Sequence, residues 1–571
     1  MTDNKEYRVI SEEGIDIAEL EFELERDTTS DTSDSTTYIP NRIVDVLHAK
    51  KFNNRITHYT LSDEEATELS KDPRILAVLP KAKPFVLAAT QTNNFSRGYD
   101  AYNQEGIHGG CNWGLKRHTE QSYNFISGGG SSEAPYMPGD YNYTLDGTGV
   151  DIVIMDNGID PWHSQFHDAD GNSRHIQFDW NQIIPGIITT DIPTYYGIDP
   201  NGGTNLPSLF GSHGTGCAGI AAGNHYGWAK NAHIYSVNIL TPDGEETVEE
   251  NFASQSFDLI RLWHERKNDP DDSLYTGRPT IVNQSFYLVP EKYTDHAGSG
   301  RHLTEFWWQG NQVLSAGTTV TSIGTGEGQT DGIPFGLVGS HFGGIDIGYN
   351  IEQKQLTDAG IICVRAAGNS YHPMAGPPDG PYYDARMSDN AFVSENINGT
   401  PDPSDKVYFN RVSTPESDDT LFVACLDNAV YEDGENQEFM WRDSERGPRI
   451  DIIAAGDRIS TAMSSSFWGK TTTDLDGTAP THYAIRASGT SFATPQITGM
   501  GALWLQMNPK GTAQQFKDFL TEHALTNSVV YNSIDETEFG FNKNNVIPRL
   551  YGAPNKIAYW PYNSPEPWNI D

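Results

Sequence analysis

The sequence predicts an α/β protein: a central parallel β-sheet with helices on both faces, in three layers, preceded by a small α+β module. Three observations predict it. First, short apolar runs recur at Val150–Met155, His233–Leu240, Pro279–Phe286, Ile361–Ala367, Leu421–Leu426 and Ile450–Ala454, each suited to a strand buried on both faces. Second, helical stretches lie between several of them, notably Thr247–Lys267 and Ile351–Ala359, and strand–helix alternation gives a covered parallel sheet. Third, the N-terminal side packs strand, helix and strand into a short span.

In chain order, residues 7–26 alternate apolar and acidic types and read as a strand or an irregular arm. Thr28–Thr37 is polar and of low complexity, a linker by composition. Ile43–Leu47 and Arg55–Leu61 read as strands, Ser62-Asp63-Glu64-Glu65 is a capping box opening a short helix, and Ile75–Pro80 is a strand closed by proline. The expected organisation is an arm and linker over 1–37, a module over 38–83 and a connecting segment over 84–111. A large domain follows over 112–512, interrupted by insertions at about 288–346 and 370–419, with an extension over 513–571. The insertions exceed ordinary connection lengths and are expected to be functional.

With 38 Lys+Arg against 77 Asp+Glu, the net charge is −39 and is spread along the chain. Such a surface repels nucleic acid and anionic membranes, so neither is expected as a partner. No apolar run approaches the roughly 20 residues that span a bilayer. The N-terminus shows no apolar signal region, which points to synthesis in the cytoplasm, with non-classical export or association with a virus particle as the alternatives. Four cysteines, Cys111, Cys217, Cys363 and Cys425, lack metal or disulfide spacing and read as free buried thiols.

The chemistry gathers at four places. In Ala487-Ser488-Gly489-Thr490-Ser491-Phe492-Ala493-Thr494-Pro495, a turn of small residues delivers a serine to a helix running from Gln496 to Met507. A hydroxyl at a helix start is either a cap or a group facing free N–H donors where an oxyanion could develop. Asp156 ends the first buried strand, as a turn residue or as a carboxylate at the sheet edge. His213 opens a helix of glycines and alanines that can pack deep and hold an imidazole rigidly. Asn369 closes another buried strand, where its amide is a turn group or an oxyanion donor. Together they make a serine-protease set in the order Asp, His, Asn, Ser.

On these residues the chain resembles the subtilisin-like serine proteases (subtilases, peptidase S8). Three signatures stand as Asp156-Asn157-Gly158-Ile159, His213-Gly214-Thr215-Gly216-Cys217-Ala218-Gly219 and Gly489-Thr490-Ser491-Phe492-Ala493-Thr494-Pro495. Val282-Asn283-Gln284-Ser285 resembles the strand that lines the substrate cleft, so Ser285 and Phe286 are candidate substrate-binding residues. The resemblance implies a subtilisin-like fold and a serine endopeptidase. Ser491 is then nucleophile, His213 base and then acid, and Asp156 the group that orients and stabilises the imidazolium; the Asn369 amide and the Ser491 N–H form the oxyanion hole. A polypeptide substrate would bind as an added strand. His58–Pro80 resembles the family's inhibitor-type propeptide and Asn112-Trp113-Gly114-Leu115 the start of its mature enzyme. This implies a self-inhibited zymogen, with its own N-terminal module as intramolecular inhibitor, cut between about Pro80 and Asn112.

The chain departs from the family pattern in several places. Phe286-Tyr287 replaces a small segment, which is expected to narrow the cleft and disturb backbone pairing. Cys217 resembles the thiol-containing proteinase K-like branch. Gln165, and the run Asn224–Trp228, lack the family's calcium-binding features, so no metal ligand is assigned and no cofactor is required; calcium could still bind elsewhere on the acidic surface. A competing reading makes the chain a structural or virion-associated component using the protease fold as a scaffold. A third option, a protease carried on a larger assembly, combines the two.

Overall fold

The computed structural model describes residues 4–25, 44–47, 54–80, 85–87, 112–121, 143–161, 163–176, 178, 180–185, 212–239, 252–288, 303–308, 310–314, 347–369, 373–376, 380–394, 407–409, 417–427, 438–463, 483–530 and 550–563. The polar linker, Cys111, most of the connecting segment and Trp568 lie outside them.

The body is a nine-stranded sheet. Its order is Leu525–Thr526, Lys556–Ile557, Ile452–Ala455, Leu421–Leu426, Ile362–Ala366, Thr280–Gln284, Asp151–Asp156, His233–Asn238 and His175–Ile176. Every neighbouring pair is parallel except the first, at the edge. Because strand side chains alternate between faces, a strand buried on both sides feeds two cores. Ile152 and Ile154 enter one core, with residues of the helices Ser212–Ala222, Thr490–Met507 and Ala513–His523. Val153 and Met155 enter the other, with Phe257, Ile260 and Trp263 of the helix Phe252–Asn268 and Leu356 of the helix Ile347–Asp358. The carboxyl ends of the central strands face the loops that carry the candidate residues, as the three-layer α/β expectation requires.

Two domain boundaries are corrected, and the insertions share a sheet. Of the two readings for residues 7–26 the strand holds: Lys5–Ser11 lies inside a four-stranded antiparallel sheet of order Asp45–Val46, Ile56–Leu61, Lys5–Ser11, Ile75–Pro80, so the segment is not a separate arm. The module therefore starts near Lys5 and not at 38. Helix Ala18–Glu25 and the capped helix Asp63–Leu69 complete it, around Val9, Leu20, Leu24, Tyr59 and Leu69. The extension assigned to 513–571 is part of the body, since Lys556–Ile557 continues the central sheet and Phe516 and Trp560 sit in its core. The two insertions are not independent. Leu303–Trp308 and Asn311–Leu314 from the first join Asn390–Ser394 and Val407–Phe409 from the second in one antiparallel sheet.

Candidate active site

Asp156 is the last residue of its strand and fully buried. His213 is the second residue of the helix Ser212–Ala222. This helix can lie against the Asp156 turn only because Gly214 carries no side chain: a Cβ there would overlap the Gly158 carbonyl oxygen. The Asn157 side-chain oxygen accepts from the Gly214 N–H at 2.9 Å, tying the aspartate turn to the start of the histidine helix. As a result His213 Nδ1 lies 2.9 Å from both Asp156 oxygens. That contact directs the other ring nitrogen, Nε2, outward as the atom able to accept a proton. Burial pushes the imidazole pKa down and the Asp156 carboxylate pushes it up; the carboxylate wins, and the pKa stands well above its ordinary value.

Ser491 is the second residue of the helix Thr490–Met507 and fully buried. Gly489 caps that helix at φ 144°, a conformation that L side chains rarely adopt. Pro495 lies inside the helix. It has no N–H to give to the carbonyl four residues back, which is that of Ser491. Two other groups take that carbonyl instead: Ser285 Oγ donates to it at 2.9 Å and Cys217 Sγ at 3.4 Å. The Ser491 hydroxyl itself donates to the Ser285 carbonyl at 3.3 Å. His213 Nε2 has no hydrogen-bond partner among the described residues. The structure thus joins Asp156 to His213 and sets Ser491 beside them, through Cys217, whose sulfur is 3.9 Å from His213 Nδ1, and Phe492, whose ring centroid is 5.5 Å from that of His213. The serine-to-imidazole hydrogen bond is not made; rotation about the serine χ1 is the change that would redirect the hydroxyl.

Asn369, half-buried, follows the strand Ile362–Ala366. Its Oδ1 accepts from the backbone N–H and the hydroxyl of Thr490, both at 2.9 Å. With the oxygen so occupied, the amide NH2 points away from Thr490 as a fixed donor. The neighbouring Ser491 N–H is one of the four that a helix start leaves without intrahelical partners. Thr490 was not singled out from the sequence, although its hydroxyl in the Gly489-Thr490-Ser491 turn is what orients Asn369; the hydroxyl also accepts from the Gly368 N–H at 3.0 Å.

Ser285 and Phe286 differ in placement. Ser285 is fully buried and also accepts from Asn283 Nδ2 at 2.9 Å. The expectation that Phe286-Tyr287 narrows the cleft is corrected for Phe286; the Tyr287 side chain lies outside those described. The Phe286 ring is fully buried on the opposite face of the strand, with the Arg365 guanidinium 4.7 Å above it. Backbone pairing is not disturbed either: Phe286–Leu288 forms a strand, and Phe85–Leu87 from the connecting segment pairs with it antiparallel.

Among the described residues, Asp156, His213 and Cys217 are the one group of His, Cys, Asp and Glu side chains close enough to hold a metal ion. His213 Nδ1 is already engaged by Asp156 there. Gln165 and Asn224 contribute oxygens to a different cation, the buried guanidinium of Arg174. No helix of the described residues is long and apolar enough to cross a membrane.

The chain is 28% identical over 184 residues to a cuticle-degrading serine protease of Arthrobotrys oligospora, covering 30% of this chain and 37% of that protein. It is 30% identical over 139 residues to subtilisin-like protease 3 of Saccharomyces cerevisiae, covering 24% of this chain and 22% of that protein. The matched stretch therefore spans 22% to 37% of the length of these relatives. Among solved structures, a cold-adapted subtilisin-like serine proteinase aligns with TM-score 0.39 and 18% identity over 78% of this chain and 97% of that one. Fervidolysin from Fervidobacterium pennivorans aligns with TM-score 0.44 and 13% identity over 98% of this chain and 60% of that one. The family model described as "Subtilase family" matches residues 147–553, well over half of the sequence, and the chain belongs to that family.

Proposed function

We propose that the chain is a serine endopeptidase, made as a precursor that its own N-terminal module inhibits. The observation that carries the first part is the Asp156–His213 contact at 2.9 Å beside Ser491. A serine hydroxyl is inert near neutrality without a base. His213 takes the Ser491 proton as that oxygen attacks a peptide carbonyl, Asp156 stabilises the imidazolium, and the proton then passes to the leaving amine. Asn369 Nδ2 and the Ser491 N–H hold the oxyanion. Water repeats the sequence on the acyl-enzyme.

Two contacts support self-inhibition. Phe85–Leu87 occupies the strand edge next to Ser285, where an extended substrate would add. Arg8 of the N-terminal sheet is buried with its guanidinium 5.0 Å from the Tyr349 ring of the body, so the module is docked on the helix Ile347–Asp358. No nucleic-acid or metal partner enters this mechanism. A biotinylated peptidyl phosphonate, offered after limited proteolysis of the N-terminal module, tests it: labelling at Ser491 that is lost in Ser491→Ala supports the enzyme, and a folded protein freed of the module that stays unlabelled leaves only the scaffold.

A further inference from the structure

The central sheet forks at the candidate site, and a buried guanidinium sits at the base of the fork. Strands Thr280–Gln284 and Ile362–Ala366 run side by side up to the pair Gln284↔Arg365. Beyond it they take different partners. Ala366 pairs with Val423, and the Ala367 N–H donates to the Val423 carbonyl at 3.1 Å, whereas Phe286–Leu288 pairs with Phe85–Leu87. The start of the helix Thr490–Met507 lies between the two arms. Ser285 on one arm donates to the Ser491 carbonyl at 2.9 Å, and Asn369 on the other accepts from the Thr490 N–H at 2.9 Å. At the base, Arg365 Nη2 donates to Gln284 Oε1 at 2.8 Å and to Oε1 of Gln353, on the helix Ile347–Asp358, at 3.1 Å. Gln284 Nε2 donates to the same Gln353 oxygen at 3.0 Å, and the guanidinium carbon lies 4.7 Å from the centre of the Phe286 ring. Gln284, Phe286, Gln353 and Arg365 are all fully buried.

We infer that Arg365 is a positioning residue for the peptidase: its guanidinium fixes the Gln284–Leu288 arm of the fork, and with it the edge that receives an extended substrate. The inference rests on the endopeptidase reading and adds to it a residue set behind the substrate edge. Taking a cation out of water is costly, and well-packed apolar side chains of similar volume often leave a fold as stable or more so. What such packing lacks is direction. A planar guanidinium that bonds two amides and lies against a ring holds the elements that carry them in one relative placement. Here those elements are the strand that leads to Asn369, the strand that leads to Ser285 and the helix Ile347–Asp358. The Asp156–His213 contact and the Asn369–Thr490 contact lie off the arm that Arg365 grips, and Ser491 stays anchored in its own helix. Loosening the grip therefore displaces the edge more than the reacting groups. An extended peptide needs both, whereas an ester of a single amino acid needs the reacting groups alone.

The test uses the full chain, treated by limited proteolysis of the N-terminal module for kinetics and left whole in the Ser491→Ala background for amide exchange. Arg365→Met is compared with a triple variant, Gln284→Met with Gln353→Met and Arg365→Met, which leaves none of the three polar groups behind and is expected to keep the wild-type unfolding midpoint. Each preparation is titrated with the phosphonate, so that rates refer to active enzyme. The expected result, in both variants, is a fall in kcat/KM of about tenfold or more on an apolar hexapeptide anilide, with little change on an N-acetyl amino acid ester. In the whole Ser491→Ala chain, the amides of Phe85–Leu87 exchange about tenfold faster when Arg365→Met is added, while those of Lys5–Ser11 do not, because the edge is loosened and the module's own sheet is not. Equal losses on peptide and ester, or full peptide activity in a stable triple variant, make Arg365 a packing residue and overturn the inference while leaving the endopeptidase standing. A wild type that hydrolyses neither substrate and takes no phosphonate overturns the endopeptidase reading. The exchange of Phe85–Leu87 then decides the fork alone, and unchanged protection in Arg365→Met overturns that as well.

Discussion

Ser285 and Ser491 hold each other through two reciprocal hydrogen bonds: the hydroxyl of each donates to the carbonyl of the other, at 2.9 Å from Ser285 and 3.3 Å from Ser491. The pair exists because Pro495 leaves the Ser491 carbonyl without a helical donor. Ser285→Ala removes the shorter bond and also the acceptor of Asn283 Nδ2. Buried polar groups that lose a partner cost about 1–3 kcal/mol each. Thermal or urea unfolding of Ser285→Ala is expected to show a loss of that size, and an unchanged midpoint would mean that the pair is not a structural tie.

The raised pKa of His213 sets a pH dependence. The imidazole must be neutral to accept the Ser491 proton, so the acid limb of kcat/KM should lie on the alkaline side of histidine's ordinary value of about 6.5. Asp156→Asn takes away the charge that lifts the pKa, so it should bring the limb down in pH as well as slow the reaction. The same shift carries a stability term with the opposite pH trend. It is fully present below the unfolded-state pKa and is lost as pH rises through the raised folded-state pKa. A pH–rate profile with its limb at or below about 6.5 in the wild type would contradict this account.

Asn369 should contribute to the barrier rather than to binding. Its oxygen is held by Thr490, and the proposed mechanism gives its amide NH2 to the oxyanion. Asn369→Ala is expected to lower kcat by a factor of about 100–1,000 with little change in KM, a magnitude that comes from subtilisin and not from this chain. Thr490→Val should reproduce part of that loss, since it frees the Asn369 side chain to rotate. Equal effects on kcat and KM would place Asn369 in substrate binding instead.

The sulfur of Cys217 lies between the imidazole and the Ser491 carbonyl, 3.9 Å and 3.4 Å away. Burial pushes its thiol pKa up, so neutral alkylating reagents should react slowly. A mercurial binds the soft sulfur directly, and one equivalent should abolish activity by displacing His213. Cys217→Ala should be active and indifferent to it. Full activity after stoichiometric labelling of wild type would refute the contact as functional.

Local pattern in the sequence carried the body well. Apolar runs marked Asp151–Asp156 and its neighbours in the sheet, and a glycine-rich run marked the helix that holds His213. What it could not carry was pairing across distance. The partners of Lys5–Ser11 lie on both sides of it only after the chain has returned twice, and its buried Arg8 reads in sequence as a surface charge. The sheet shared by the two insertions pairs residues such as Phe306 and Phe392, which no local period connects. Phe286 was legible and was read wrongly: it shares strand parity with Val282, which faces the second core, whereas Asn283 and Ser285 fall on the faces turned toward the serine helix and its surroundings.

Arg174 takes oxygens of Gln165 and Asn224, the positions at which the family resemblance raises calcium. Its Nη2 donates to the carbonyls of Gln165 at 3.1 Å and Ala222 at 2.6 Å and to Asn224 Oδ1 at 2.9 Å, and its Nη1 donates to the Ala232 carbonyl at 3.0 Å. Lys230 Nζ takes the Asn224 and Gly227 carbonyls at 2.8 Å each. A cluster of oxygens with these partners is the environment a hard cation would seek, and here two side-chain cations fill it. Burial lowers the Arg174 pKa to about 10, which still leaves it charged at neutral pH. Arg174→Ala strands several buried acceptors that had charged donors, and should cost about 3 kcal/mol or more. If added calcium then restores part of that loss in Arg174→Ala while doing nothing for the wild type, the guanidinium is standing in for a metal; an Arg174→Ala variant that calcium does not rescue would show that it is not.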